Sequence, residues 1–235
     1  MIKLGTEQCN VAGIDKAYIG NELVYEKPIY APATTTGLFH LDGNLNNEVS
    51  GGTNGKNNFT ESASGKFNKC IRVNYNNSTS YTQFPIAMGT QGYYNDYWTI
   101  EFWAYLTSTT AQMKIRMVTN DNTGVSDFIL GQLSSQGQYL NTNYRQTQTI
   151  ISTPTPEINT WNHFAYVFDG GNYRFYFNGN KITEGTTTTY TNYNLQWVRL
   201  NVTGLLYDEL LICHEAKYNA DFTPNSRPYA LRPTT

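Results

Sequence analysis

The stretch WNHFAYVFDGGNYRFYFNGNKI, residues 161–182, constrains the fold more than any other part of the chain. Two runs alternate with a period of two, DGGN joins them and FNGN offers a second turn, so the segment reads as consecutive antiparallel strands. Both faces of these strands carry bulk: His163, Ala165 and Val167 alternate with Phe164, Tyr166 and Phe168. A strand with one face in water would alternate apolar with polar residues. Each face of this hairpin therefore needs a layer to cover it or a partner to occupy it.

The same pattern recurs in YWTIEFWAYLTS, where Trp98, Ile100, Phe102, Ala104 and Leu106 alternate with Thr99, Glu101, Trp103 and Tyr105. Further strands are expected near 38–41, 69–74, 113–118, 126–133, 148–152, 173–178, 195–201 and 206–212. No run has helical periodicity over three turns. Charged residues make up 14% of the chain, where about 25% is usual. Thr, Asn, Tyr and Gly take the missing share, a mixture that suits pleated surfaces and tight turns. Regularly spaced short strands predict an all-β, two-sheet antiparallel jelly-roll sandwich. The polar, weakly charged stretches 44–58 and 183–194 read as surface loops.

Residues 1–27 form a separate unit. Ala17 and Ile19 are followed by Gly20-Asn21 and then by Leu23 and Tyr25, which predicts a short hairpin for attachment or oligomerisation. Residues 28–36, with Pro28, Pro32 and a Thr run, read as an extended linker, and 37–235 as the main domain. An isolated two-stranded hairpin is marginal in water, so this one is expected to dock on the body or on a neighbouring subunit.

Several function classes lose support at this level. A net charge of −2 with basic residues scattered along the sequence gives no reason to expect nucleic acid. No run approaches the ~18 apolar residues of a membrane span, and the N-terminal sequence lacks the apolar stretch of a secretory signal, so membrane insertion is not expected and folding in a cytoplasm is. Cys9, Cys70 and Cys213 have neither zinc nor redox spacing and read as free, mostly buried thiols. HEAKY opens like a zinc-protease helix, but Tyr218 stands where its second histidine belongs. GTNGKNN, residues 52–58, lacks the spacing of a phosphate loop and reads as a solvated turn, and no G-x-S-x-G elbow occurs. Strict alternation would send Asp208 and Glu209 to opposite faces, unlike a catalytic pair. His163 lies inside a strand and reads as a hydrogen-bonded core residue.

Five pieces taken in order, LFHLDGNLNNEVSG, GKFNKCIRV, WTIEFWAYLTS, WNHFAYVFDGGNYRFYFNGNKI and LYDELLICHEAKYNADFTP, resemble the laminin G-like branch of the concanavalin A-like lectin/glucanase superfamily over residues 37–232. That resemblance implies two curved sheets with a concave and a convex face, used to bind carbohydrate or protein, sometimes with calcium at the rim. It implies that the 161–177 hairpin has one face in the core and the other lining a groove. Glucanases of this fold carry Glu-x-Asp-x-x-Glu on one strand, which is absent here, so no enzyme is expected. AKYNADFTPNSRPY and KAYIGNELVYEK resemble segments common in bacteriophage tail and other virion proteins.

Sugar recognition needs flat rings for stacking and amides or carboxylates for hydroxyls. The candidate ligand-binding residues are Tyr93, Tyr94 and Asp96 in GYYNDYW, Tyr144 in QYLNTNYRQ, and Tyr190, Asn192, Tyr193 and Trp197 in YTNYNLQW. No catalytic residue and no cofactor is expected; calcium is left open through Asp96, Asp121 and Asn122. The expected protein is a phage virion component, assembled in the host cytoplasm, whose lectin-like domain binds a host surface glycan or protein. Residues 1–36 would join it to other virion proteins or to sister subunits, in a homo-oligomer with a trimer favoured. The alternative is an architectural head decoration, collar or tail protein without a ligand.

Overall fold

A computed structural model of the chain describes residues 2–4, 7–9, 15–19, 21–57, 59–62, 64–73, 82–86, 97–107, 113–119, 128–134, 137–141, 148–151, 156–186, 195–201 and 205–232, with the backbone alone for the strands between 113 and 151. Two small hairpins come first, β1 (Ile2–Leu4) with β2 (Glu7–Cys9) and β3 (Lys16–Ile19) with β4 (Glu22–Glu26). β5 (Ile29–Tyr30) and β6 (Thr35–Phe39) lead into the body. There follow β7 (Lys56–Asn57), β8 (Phe59–Ser62), β9 (Cys70–Val73), β10 (Thr82–Pro85), β11 (Tyr97–Leu106), β12 (Met113–Thr119) and β13 (Phe128–Ser134). The rest are β14 (Gly137–Asn141), β15 (Gln148–Ile151), β16 (Trp161–Asp169), β17 (Asn172–Phe177), β18 (Asn180–Thr186), β19 (Leu195–Asn201), β20 (Leu205–Cys213) and β21 (Tyr229–Ala230).

One antiparallel sheet runs β18-β17-β16-β11-β20-β9-β8, with β6 also paired to β20, which makes eight strands. The other runs β15-β14-β13-β12-β19-β10-β7. No helix occurs among the described residues, and the all-β jelly-roll sandwich expected from the sequence is the fold. The core lies between the sheets. It takes Trp98, Ile100, Phe102, Phe164, Tyr166 and Phe168 from the first sheet and Phe84, Val198 and Leu200 from the second. Trp98 stacks on Phe168 with centroids 3.9 Å apart, and Phe102 on Phe164 at 5.5 Å. Each buried ring contributes on the order of 2 kcal/mol through the apolar area it removes from water. The β16–β17 turn uses Gly170 and Gly171 at φ 58 and 99, the positive angles a two-residue hairpin needs.

Several loop expectations give way to strands. Residues 183–186 continue β18, Lys56–Asn57 form β7, and the start of QYLNTNYRQ lies in β14. Thr- and Asn-rich sequence with little apolar content reads as loop, but a sheet edge supplies backbone partners whatever the side chains are. Residues 28–36 are tied down and broken by a turn at 33–34: Ile29 and Tyr30 pair with Tyr229 and Ala230, Ala31 is buried, and the Thr35 amide and hydroxyl donate to the Pro32 carbonyl. The β3–β4 hairpin is tethered by an ion pair between Arg227 and Glu26 at 2.9 Å. Cys70 and Cys213 are free and buried, and burial pushes the Cys213 thiol up to about 12.

Candidate functional site

The residues on the outward side of β11, β16 and β17 line no groove. Residues 214–230 cross that side, and Trp103, His163, Ala165, Val167 and Tyr176 are buried there. The chain covers its own second apolar row, which is why both faces of the hairpin carry bulk. Tyr218 stacks on Phe222 with ring centroids 3.5 Å apart, and both rings meet Tyr176 edge-on. Thr99 Oγ1 donates to the Glu215 carbonyl at 2.7 Å and accepts from the Lys217 amide at 3.0 Å. Trp103 Nε1 donates to Asn225 Oδ1 at 3.1 Å.

At the centre of this seam lies Glu101, a residue the sequence presents only as one more alternating position. Lys217 Nζ and Tyr229 Oη each donate to its Oε1 at 2.6 Å, and Lys217 also contacts Tyr229 Oη. Burial raises the carboxyl, but the Lys217 ammonium, the nearby His163 and the two donors together hold it below the usual carboxylate range. His163 is buried as expected, and its Nδ1 has no hydrogen-bond partner among the described residues. Burial drives its imidazole down to about 4. It is therefore neutral near pH 7, and its 4.0 Å approach to Glu101 is not an ion pair. Both Glu101 and His163 are 1% exposed, so no substrate reaches either. What this cluster does is fasten the C-terminal segment to the sheet.

The parity expected for Asp208 and Glu209 fails because of a β-bulge. The β11–β20 register shifts between Glu101 and Trp103, and Glu209 sits at φ 51. The extra residue falls between Tyr207 and Leu210, both core-facing, so neither carboxylate enters the main core. Asp208 Oδ2 accepts from the Lys66 and Phe67 amides at 2.6 and 3.1 Å. Burial pushes its carboxyl up to about 7 against the pull of those donors. Glu209 accepts from the Tyr229 amide at 2.5 Å and contacts His40 Nδ1 at 2.7 Å. Both carboxylates organise loops.

The outward side of the seven-stranded sheet differs. On β19, Val198 and Leu200 face the core while Trp197 and Arg199, both half-buried, alternate with them. The Lys56 ammonium lies 4.2 Å from the Trp197 ring centroid, and Lys56 is exposed. Arg199 Nε donates to Gln83 Oε1 at 3.0 Å. Pro85 pairs in register with Trp197, and Gln83 with Arg199. Together these residues offer one indole and two cations on rigid strands, with the Arg199 guanidinium aligned by the buried Gln83 amide. Of the sequence candidates, Trp197 belongs to this surface; Tyr93, Tyr94, Asp96, Tyr144, Tyr190, Asn192 and Tyr193 lie outside the described residues, as do Asp121 and Asn122. Lys56, Gln83 and Arg199 were missed by sequence reasoning, since GTNGKNN read as a bare turn and nothing local linked it to Trp197. Among the described residues no cluster of His, Cys, Asp and Glu could hold a metal ion.

A family model described as the concanavalin A-like lectin/glucanases superfamily matches residues 76–203, more than half of the chain. No curated protein matches the sequence. Among solved structures, the binding domain of Paraclostridial Mosquitocidal Protein 1 is similar with a TM-score of 0.59 at 15% identity, over 79% of this chain and 50% of that one. Domain 4 of an extracellular arabinanase from Geobacillus stearothermophilus, in complex with arabinotriose, aligns with a TM-score of 0.51 at 17% identity, over 79% of this chain and 95% of that domain. Trypanosoma rangeli sialidase aligns with a TM-score of 0.60 at 10% identity, over 88% of this chain and 34% of the enzyme. The chain thus spans half or less of the toxin fragment and of the sialidase, and at these identities the likeness is one of fold.

Proposed function

The chain belongs to the concanavalin A-like lectin/glucanases superfamily, and from that premise we propose that it is a non-enzymatic protein that binds saccharide on the outward side of its seven-stranded sheet. The observation that carries this reading is Trp197, half-buried on β19 between Lys56 and the Arg199–Gln83 pair. An indole face supports the apolar side of a sugar ring, while the cations take its oxygens. The opposite sheet offers no such place, because its outward rings are covered by the chain itself. A sandwich of this fold also accommodates an oligosaccharide in the arabinanase domain solved with arabinotriose. The absence of enzymatic activity is argued from the carboxylates: Glu101, Asp208 and Glu209 all accept from internal donors.

The site works best in several copies, because one shallow sugar site is weak and tethered copies gain apparent affinity through effective concentration. We assign the protein to a phage virion, with residues 1–36 contacting other virion proteins or sister subunits, in a homo-oligomer with a trimer favoured. The support is the virion-like character of KAYIGNELVYEK and AKYNADFTPNSRPY, and the exposed register partners Tyr18 and Leu23, 56% and 44% accessible. An apolar pair at that exposure suits a protein contact.

The test is a glycan array, and intact bacterial cells, probed with the full-length chain and with Trp197→Ala. Saccharide binding that is lost in the variant, with an unchanged melting curve, is the expected result. No binding to any glycan or envelope overturns the reading in favour of an architectural role. A map of the assembled particle tests the virion assignment: the seven-stranded sheet should face solvent at a distal position.

A further inference from the structure

The two sheets divide the charge of the chain unequally. The strands of the eight-stranded sheet contain Glu61, Glu101, Asp169, Glu184, Asp208 and Glu209 against Arg72, Arg174 and Lys181. Those of the seven-stranded sheet contain Lys56, Lys114, Arg116 and Arg199, with no Asp or Glu. The whole chain carries a net charge of −2, so composition does not account for a sheet of purely cationic strands.

Topology then concentrates these cations. Lys56 pairs in register with Gln83, Gln83 with Arg199, and Arg199 with Arg116, across the adjacent strands β7, β10, β19 and β12. Lys114 occupies the position two residues along β12, opposite Asn201. Three interstrand spacings make the row about 14 Å long, more than one charged group spans. Like charges placed directly opposite each other across two strands oppose pairing, and positions 116 and 199 are such a pair. Arg199 is aligned by its Nε bond to Gln83, and Trp197 stands two residues away on the same strand.

Resting on the saccharide reading above, we propose that this face takes an anionic saccharide chain, whose carboxylate or phosphate groups meet Lys56 and Arg199 while a sugar ring lies on Trp197. Lys56, exposed and poised over the indole, moves from the ring to an incoming anion. A guanidinium aligned by a neighbouring amide suits a carboxylate or phosphate, whose bonds to Arg are charge-assisted. The Trp ring favours a sugar polymer over an anion without rings.

The test uses the full chain and five probes: polygalacturonate, glycerol-phosphate teichoic acid, neutral dextran, polyglutamate and duplex DNA, each at 50 and 500 mM salt. One of the first two should bind at least about tenfold tighter than dextran and weaken about tenfold at high salt, since exposed charges are screened there. Which of the two binds identifies carboxylate or phosphate. Arg199→Gln and Lys56→Gln should each weaken that binding several-fold while the protein stays folded, with at most a small shift in melting, while Lys181→Gln on the other sheet leaves binding unchanged. Preference for dextran, without salt dependence, overturns the inference and leaves the saccharide reading standing. Equal binding of polyglutamate or DNA, insensitive to Trp197→Ala, replaces the saccharide by a generic polyanion and overturns it. Binding to none of the probes overturns the inference, and the glycan array then decides the saccharide reading separately.

Discussion

On the eight-stranded sheet the outward residues Trp103, His163, Ala165 and Tyr176 are buried beneath residues 214–230, whereas on the seven-stranded sheet Trp197 and Arg199 stay half-buried and Lys56 exposed. The first side is closed by apolar rings and by a carboxylate whose partners come from the closing segment itself. The second has mostly polar neighbours and a row of like charges. A bulky outward row is therefore no evidence of a binding groove until one knows what the rest of the chain lays over it. What separates the two sides is whether a later segment of the chain lies across the outward row.

The largest expected effect breaks the closed side. Lys217→Ala leaves Glu101 buried without its cation, a loss on the order of 3–5 kcal/mol for a broken buried pair. Denaturant unfolding measures it, and limited proteolysis should then cut within 214–230. Glu101→Gln combined with Lys217→Met removes both charges together and should recover most of the loss, because the penalty is that of an unpaired buried charge. A Lys217→Ala protein as stable as the wild type would mean that the rings alone hold the segment.

Next comes pH. The folded His163 titrates near 4 and the unfolded residue near 6.5. A depressed value of this kind gives stability that is complete above 6.5 and is lost as pH falls toward 4, in total about 3 kcal/mol. Asp208 acts in the opposite sense: its folded value near 7 lies above the unfolded 3.8, so its contribution falls as pH rises through that window. The two partly cancel in the wild type. His163→Gln should therefore lose stability more slowly than the wild type between pH 6.5 and 4, or gain it, as unfolding at several pH values will show. Parallel curves for the two proteins would place the imidazole in contact with water.

The strands of the closed side were legible in the sequence. Alternation in WTIEFWAYLTS and in the 161–177 hairpin marks the strands because burial on one face enforces a period of two, and those strands are where the sequence places them. The closing segment left no such trace. Its residues have no periodicity, and their partners are distant in sequence: Lys217 with Glu101, Asn225 with Trp103, Glu215 with Thr99. The bulge at Asp208 and Glu209 defeats any parity argument, since one inserted residue reverses it. The cationic row was hidden for a related reason. Lys56, Arg116 and Arg199 look scattered along the chain, and only the strand order brings them side by side.

The smallest expected effect completes the comparison. Arg199→Gln lies on a half-buried position whose bond is to the buried Gln83 side chain on the neighbouring strand. Loss of one such hydrogen bond costs about 1 kcal/mol, against several for Lys217→Ala on the other side. A urea series on the two variants in parallel measures the contrast. Should Arg199→Gln cost as much as Lys217→Ala, the arginine is a structural strut like Glu101, and the open side holds itself together by the same buried pairing as the closed one.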